Sequence, residues 1–154
     1  MVLNPDRMDE SLHDNKDILL AEDDSEDVEI FEMALTELKF PYVMRHAENG
    51  DVLFILLKER VPHILFLDIR MPCRDGLSCI VEIRKNREYD HLPVIMYSSH
   101  LSHKIVDECF RNGANFYLTK TNTISELTEK LRKIFDMDWK SYLHYPPQDQ
   151  FMLS

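Results

Sequence analysis

The chain has 154 residues, the usual size of one domain, and this length is enough to bury a continuous core. Its formal net charge of -10 disfavours nucleic acid and anionic membrane surfaces as partners, because like charges repel. The sequence has no secretory signal after Met1 and no apolar run near the roughly 20 residues that span a bilayer, so we expect a cytoplasmic protein.

Five short apolar segments have the length and composition of strands that are buried on both faces of a parallel sheet. They alternate with segments of helical period, which is the pattern of stacked β-α units. The predicted strands cover residues 18–21, 42–47, 64–67, 94–97 and 116–118. The pattern therefore predicts an α/β domain with a parallel sheet.

The helices are predicted mainly from their starting signals. The first begins at the acidic cluster Asp24-Ser25-Glu26-Asp27, where carboxylates favour the positive end of a helix dipole. The last begins at Thr123, which has the capping-box spacing to Glu126. Three further helices are expected over residues 52–58, 77–87 and 102–111.

The predicted units leave a tail at each end of the domain. We expect an N-terminal tail over residues 1–16, a domain over residues 17–136 and a C-terminal tail over residues 137–154. The second tail is unusually aromatic for a solvated segment, so we expect it to pack on the domain or to extend a homodimer interface. The residues behind this expectation are Trp139, Tyr142, Tyr145, Phe151 and Met152.

Polar residues follow the carboxyl ends of four predicted strands, which is the edge where open parallel sheets bind ligands. In chain order they are Glu22, Asp23, Asp24, Asp68, Ser98, Ser99 and Lys120. Taken singly, the acids and serines could merely cap helices, and the lysine could be a solvated surface residue. Their joint position at one edge favours a functional site instead.

Several carboxylates at one edge repel one another, and a hard dication with oxygen ligands such as Mg²⁺ would relieve that repulsion. With Mg²⁺ and Lys120 beside it, Asp68 would be a nucleophile facing groups that stabilise a phosphoryl group in transfer. The residues therefore predict an aspartyl phosphate on Asp68, with Lys120 beside it and the Ser98 hydroxyl at the same edge.

Four segments together resemble the response-regulator receiver domain of two-component signalling over roughly residues 16–136. They are ILLAEDD at 18–24, LFLDIRMP at 65–72 followed by Asp75-Gly76, PVIMYSS at 93–99 and GANFYLTK at 113–120. The resemblance implies a flavodoxin-like, doubly wound sheet of five parallel strands in the order 2-1-3-4-5, with helices on both faces.

The resemblance also assigns the metal site. It makes Asp68 the phosphoacceptor, Glu22 and Asp23 the acidic pair, and Asp23 a direct Mg²⁺ ligand. The backbone carbonyl of Arg70 is expected to complete the protein's share of ligands. Asp24 lies one position beyond the acidic pair and is expected to cap the first helix.

The remaining roles are likewise inherited from the family. Ser98 takes the position of the switch hydroxyl, Lys120 that of the phosphate-binding lysine, and Tyr117 that of the aromatic residue that changes rotamer. The sequence departs from the family at Thr121, where a proline in a cis peptide is usual. Without proline a cis bond costs about 2.5 to 4 kcal/mol, so a trans or strained Lys120–Thr121 bond is expected.

The resemblance implies a phosphorylation-dependent switch rather than an enzyme. A sensor histidine kinase or a histidine phosphotransfer protein would be the phosphoryl partner, and a downstream protein would recognise the changed surface. Arg70 and His100 occupy positions that influence hydrolysis in this family, and their bulk predicts a long-lived phosphoryl group.

Three alternatives remain open. The chain could be a phosphorelay intermediate, or an interaction module that works without phosphorylation. The third is a Mg²⁺-dependent phosphohydrolase that uses Asp68 as its nucleophile. This reading is disfavoured because Arg70 stands where a second carboxylate is normally needed.

Overall fold

The computed structural model describes residues 15–99, 102–137 and 147–153. Within them a six-stranded sheet has the order β2-β1-β3-β4-β5-β6, and every neighbouring pair is parallel. The strands are β1 (Lys16–Ala21), β2 (Tyr42–Ala47), β3 (Ile64–Leu67), β4 (Val94–Ser98), β5 (Phe116–Thr119) and β6 (Met152–Leu153).

Five α-helices connect or follow the first five strands. They are α1 (Ser25–Glu37), α2 (Gly50–Glu59), α3 (Gly76–Lys85), α4 (His103–Arg111) and α5 (Ile124–Asp136). Short 3₁₀ turns occur at Arg87–Tyr89 and Gln148–Gln150. None of the helices in the described part of the chain is long and apolar enough to cross a membrane.

Side-chain caps fix where four of the helices begin. Asp24 accepts a hydrogen bond from the Glu26 amide at α1, and Thr123 accepts one from the Glu126 amide at α5. Asn49 and Asp75 cap α2 and α3 in the same way. Each cap pairs an amide that the helix itself leaves without a partner, so these residues set the helix starts.

Two apolar layers cover the faces of the sheet. On one face Phe31 from α1 and Leu131 from α5 pack with Ile18, Phe66 and other strand residues. On the opposite face α2, α3 and α4 cover the alternate strand residues. Because β1, β3 and β4 are buried on both faces, they read as continuous apolar runs in the sequence.

The flavodoxin-like fold and the strand order 2-1-3-4-5 are confirmed, and the structure adds a strand that the sequence does not predict. Residues 147–153, which lie in the expected C-terminal tail, return to the domain, and β6 pairs with β5. Phe151 is buried beside Phe110 and Tyr117. Trp139, Tyr142 and Tyr145 lie outside the described residues, as do residues 1–14.

Candidate functional site: an acidic cluster around Asp68

The acidic residues are brought together by the register of the central strands. Ala21 at the end of β1 is level with Leu67 at the end of β3, so Glu22 and Asp68 leave the sheet side by side. Backbone bonds extend this alignment, since the Asp68 amide donates to the Ala21 carbonyl at 3.0 Å. The Glu22 amide donates to the Ala47 carbonyl at 2.9 Å. The sheet therefore fixes the backbone on which the site is built.

Glu22, Asp23 and Asp68 form a compact cluster of carboxylates. Each offers an oxygen, and these oxygens all lie within 4.8 Å of one another. Glu22 and Asp68 are buried, whereas Asp23 is exposed. Burial, followed by repulsion from Asp68, raises the pKa of Glu22 to about 8, although Lys120 acts in the opposite direction. The cluster therefore holds more negative charge than its surroundings neutralise.

Lys120 is the cation at the centre of this group. Its Nζ lies 2.7 Å from Glu22 Oε2 and 2.9 Å from one oxygen of Asp27 and one of Asp68. The ring of Tyr97 lies beneath the same ammonium, with its centroid 5.4 Å away. Burial alone would lower the pKa of Lys120, but the contacts with the three carboxylates outweigh it and raise the pKa, so the side chain is charged.

The donor set fits a hard divalent cation. Three carboxylates can point oxygens into one small space, and Lys120 is the only ammonium that contacts them among the described residues. The Oε2 atom of Glu22 makes this ion pair but no hydrogen bond of normal geometry within the described part of the chain. Carboxylate and carbonyl oxygens are the ligands that Mg²⁺ prefers, so these residues suit it.

Ser98 lies on β4, the strand next to β3 and Asp68, and Tyr117 lies on β5, one strand farther away. Ser98 is buried at the end of β4, and a hydrogen bond joins its side chain to that of Tyr117 on β5. Burial raises the pKa of Tyr117 to about 12, and the bond to Ser98 opposes that rise. The structure therefore links Ser98, at the carboxyl end of β4, to a buried aromatic residue on the next strand.

The loop after Asp68 returns close to its own beginning. The Gly76 amide donates to the Ile69 carbonyl at 2.7 Å, and a Cβ atom at Gly76 would lie only 2.2 Å from the Asp68 carbonyl oxygen. Cys73 adopts a positive φ of 70° within the loop. Arg70 lies in the same loop with an exposed side chain. The glycine thus allows the helix α3 to start directly against the backbone of the acidic site.

The comparison with known families decides which kind of protein has this geometry. The family model described as the response regulator receiver domain matches residues 18–132. The chain belongs to the response-regulator receiver family. Receiver domains are regulatory switches of two-component signalling, and the family binds Mg²⁺ or Mn²⁺ at an acidic pocket.

Individual relatives agree with the family match. Chemotaxis protein CheY-3 of Vibrio cholerae is 31% identical over 129 residues, which cover 84% of this chain and 98% of that protein. Transcriptional regulatory protein KdpE of Staphylococcus aureus is 32% identical over 117 residues, or 76% of this chain. The match spans only about half of KdpE, 48% of its length.

A solved structure supports the fold. The crystal structure of the phosphorylated cyanobacterial phytochrome response regulator RcpA superposes with a TM-score of 0.74. It is 23% identical, and the match covers 86% of this chain and 99% of that one. At this identity the likeness concerns the receiver fold alone.

The structure places most of the predicted site residues at one edge of the sheet, with Arg70 in the loop after Asp68 and Tyr117 inside β5. Glu22, Asp23, Asp68 and Lys120 lie together, with Ser98 at the end of the adjacent strand. The Lys120–Thr121 peptide is trans, as are all other bonds in the described ranges. His100 lies outside the described residues.

Asp27 is a member of the site that the sequence does not predict. The sequence places it with Asp24 at the start of the first helix, and Asp24 does cap α1. The structure instead directs the Asp27 carboxylate to Lys120, 93 positions later in the chain. Helical spacing offers a signal, because Asp27 lies one turn beyond Asp23, but nothing in the sequence identifies its distant partner.

Proposed function

We propose that this receiver domain accepts a phosphoryl group on Asp68 from a sensor histidine kinase and changes its partner-binding surface as a result. The observation that carries the proposal is the position of the Asp68 carboxylate. It lies 2.9 Å from the Lys120 ammonium and within 4.8 Å of the carboxylate oxygens of Glu22 and Asp23. An acceptor oxygen beside a fixed cation and a set of metal-ligating oxygens is suited to phosphoryl transfer.

In the proposed reaction one carboxylate oxygen of Asp68 attacks the phosphorus atom of a phosphohistidine. The new P–O bond forms as the P–N bond to the kinase imidazole breaks, and that nitrogen keeps the electron pair. Lys120 then pairs with a phosphoryl oxygen, and Ser98 donates its hydroxyl to another. Glu22, Asp23, Asp68 and the Arg70 carbonyl would hold Mg²⁺, which when bound neutralises part of the charge on the transferring group.

The proposed output starts at Ser98. When its hydroxyl turns to the phosphoryl group, the buried Tyr117 hydroxyl loses a hydrogen-bond partner, which is unfavourable in a buried position. Tyr117 and the surface formed by α4, β5 and α5 are then biased toward a second packing. A downstream protein that binds one packing more tightly would receive the signal.

Phosphorylation is tested by incubating the protein with acetyl phosphate and measuring its intact mass. We expect one phosphoryl adduct that requires Mg²⁺ and is absent from Asp68→Asn. Glu88→Gln is a matched control, because Glu88 is an exposed carboxylate in the turn Arg87–Tyr89. Its adduct should equal that of the wild type. A persistent adduct in Asp68→Asn would exclude Asp68 as the acceptor.

Two alternative roles use the same fold and have their own tests. A phosphorelay intermediate would return the phosphoryl group rapidly to a histidine phosphotransfer protein. An interaction module would bind its partner equally well with Asp68→Asn, and no adduct would then be needed for binding. A homodimer through the C-terminal residues would be visible in the sedimentation of the full chain.

A further inference from the structure

We propose that Asp27 is a positioning residue that holds Lys120 in place while the other acids of the site bind the metal. The proposal rests on the phosphoacceptor function proposed above and concerns the control of that same site. Asp27 lies in the first turn of α1, and its Oδ2 atom is 2.9 Å from Lys120 Nζ. Its side chain is 27% exposed, compared with 14% for Lys120.

The three partners of Lys120 are not equivalent. Glu22 and Asp68 belong to the cluster whose oxygens can meet on one cation, but Asp27 is not a member of that cluster. When Glu22 and Asp68 bind a metal, the dication neutralises part of their negative charge, so they attract the Lys120 ammonium less strongly. The dication also repels the ammonium directly. Asp27 is therefore the carboxylate that keeps its full ion pair with Lys120 when the metal is bound.

Among the described residues the site has more acidic side chains than basic ones, so the position of the Lys120 ammonium depends on a fixed partner such as Asp27. Glu22, Asp23, Asp27 and Asp68 carry four negative charges when ionised, and Lys120 carries one positive charge. A lysine side chain is long and flexible, so an ammonium without a fixed partner is poorly held. With Asp27 in place, the ammonium keeps one fixed contact close to the point where the phosphoryl oxygens arrive.

Without Asp27, the ammonium has only metal-binding carboxylates as ionic partners among the described residues. The ammonium should then move closer to Glu22 and Asp68 and compete with Mg²⁺ for their oxygens. Asp27 therefore supports metal binding through Lys120, although it is not itself a metal ligand.

The test is a Mg²⁺ titration followed by ¹H–¹⁵N NMR spectra of the full chain. We expect Asp27→Asn to weaken Mg²⁺ binding about 3- to 10-fold, which is the size of one ion-pair contact at a partly exposed site. Glu26→Gln removes a neighbouring carboxylate from the same helix turn and is the matched control. It should change the affinity less than about twofold, because Glu26 has no contact with Lys120 among the described interactions.

A double-mutant cycle separates positioning from a general effect of charge. In a Lys120→Gln background, we expect Asp27→Asn to have no larger effect than Glu26→Gln, because the residue through which it acts is gone. An equal loss of affinity with and without Lys120 would overturn the proposal. Tighter Mg²⁺ binding by Asp27→Asn would also overturn it.

The wild-type protein keeps this test distinct from that of the proposed function. If the wild type neither binds Mg²⁺ nor gains a phosphoryl adduct, the phosphoacceptor function fails. If it does both and Asp27→Asn behaves like Glu26→Gln, only the role of Asp27 fails. Unfolding curves of both variants check that each is compared in its folded state.

Discussion

Glu22 illustrates how a single residue can link metal binding to pH. Its side chain is fully buried, it lies beside Asp68, and its pKa is raised to about 8. At neutral pH the folded protein without metal therefore keeps a proton that an unfolded chain has already lost. Stability should fall as the pH rises from the ordinary range of a glutamate to about 8, because folding then takes up a proton that becomes scarcer.

The same proton predicts pH-dependent metal binding. A metal ligand must be deprotonated, so Mg²⁺ should bind more weakly at pH 6 than at pH 8. The loss should approach about tenfold for each pH unit below the pKa, since one proton is displaced. Calorimetric titrations in buffers of different ionisation enthalpy would measure both the affinity and the released proton.

Glu22→Gln provides the control for this prediction. The variant cannot take up the proton, so its weaker Mg²⁺ binding should vary little over the same pH range. A pH dependence that persists in Glu22→Gln would assign the titration to another group.

At the residue scale, the sequence predicts the site where a side chain follows directly from the end of a strand. Glu22, Asp68, Ser98 and Lys120 are of this kind, because parallel strands bring their carboxyl ends to one edge. Asp27 is not of this kind, because its role depends on the Lys120 side chain reaching α1 from the end of β5. Long-range pairing of two side chains has no period and no local signal.

At the scale of elements, the close approach of Gly76 to Asp68 predicts the effect of adding one methyl group. Gly76→Ala would place its Cβ atom against the Asp68 carbonyl, so the loop or the start of α3 must shift. We expect a loss of about 1 to 3 kcal/mol in the free energy of unfolding, as for other overpacked sites. Acceptance of phosphoryl from acetyl phosphate should slow as well, because the shifted backbone carries the acceptor.

Ser78→Ala is a suitable comparison, because Ser78 is exposed two residues farther along the same helix. Its free energy of unfolding should remain within about 0.5 kcal/mol of the wild type. Urea unfolding of both variants measures the difference. Equal stability of Gly76→Ala and Ser78→Ala would show that the loop accommodates a methyl group without cost.

Phe151, which precedes the short strand β6, is the buried side chain of residues 147–153. Phe151 is 1% exposed and packs against Phe110 and Tyr117, with ring centroids 5.3 and 6.3 Å away. We expect Phe151→Ala to cost about 3 to 5 kcal/mol if the strand stays docked, and less if the segment leaves the sheet. Met152→Ala, at a position 41% exposed, should cost much less. Similar urea midpoints for the two variants would contradict this assignment.

The sequence predicts the long elements well because each carries many periodic residues. The five strands and five helices recur with ends that differ by a few residues, as in β4, where Ser98 extends the predicted strand. A two-residue strand such as β6 has no period that could predict it. Its place depends on Phe151 filling a space between α4 and β5, which exists only after the domain has folded.

For the whole molecule, the sheet connects the acidic edge to the C-terminal segment. Ser98 shares a hydrogen bond with Tyr117, and the Tyr117 amide donates to the Phe151 carbonyl at 2.9 Å. Gln148 adds a bond from its side-chain amide to Asp107 on α4, at 3.0 Å. A change at Ser98 can therefore reach residues 147–153 through a continuous set of contacts. Since linkage is reciprocal, changes in that segment should also affect the acidic site.

This connection predicts that phosphorylation loosens the C-terminal segment. If Ser98 turns toward a phosphoryl group on Asp68, Tyr117 loses the bond that favours its buried position, and Phe151 loses part of its packing. Addition of beryllofluoride, a phosphoryl mimic, with Mg²⁺ should then increase hydrogen exchange at the amides of residues 151–153. Asp68→Asn should show no such increase. Linkage is reciprocal, so Phe151→Ala, which favours the open segment, should bind beryllofluoride more tightly than the wild type. The gain in affinity should equal the factor by which beryllofluoride raises the equilibrium constant for opening of the segment. Unchanged or slower exchange at these amides, in wild type that has bound the mimic, would show that the segment does not respond to the site.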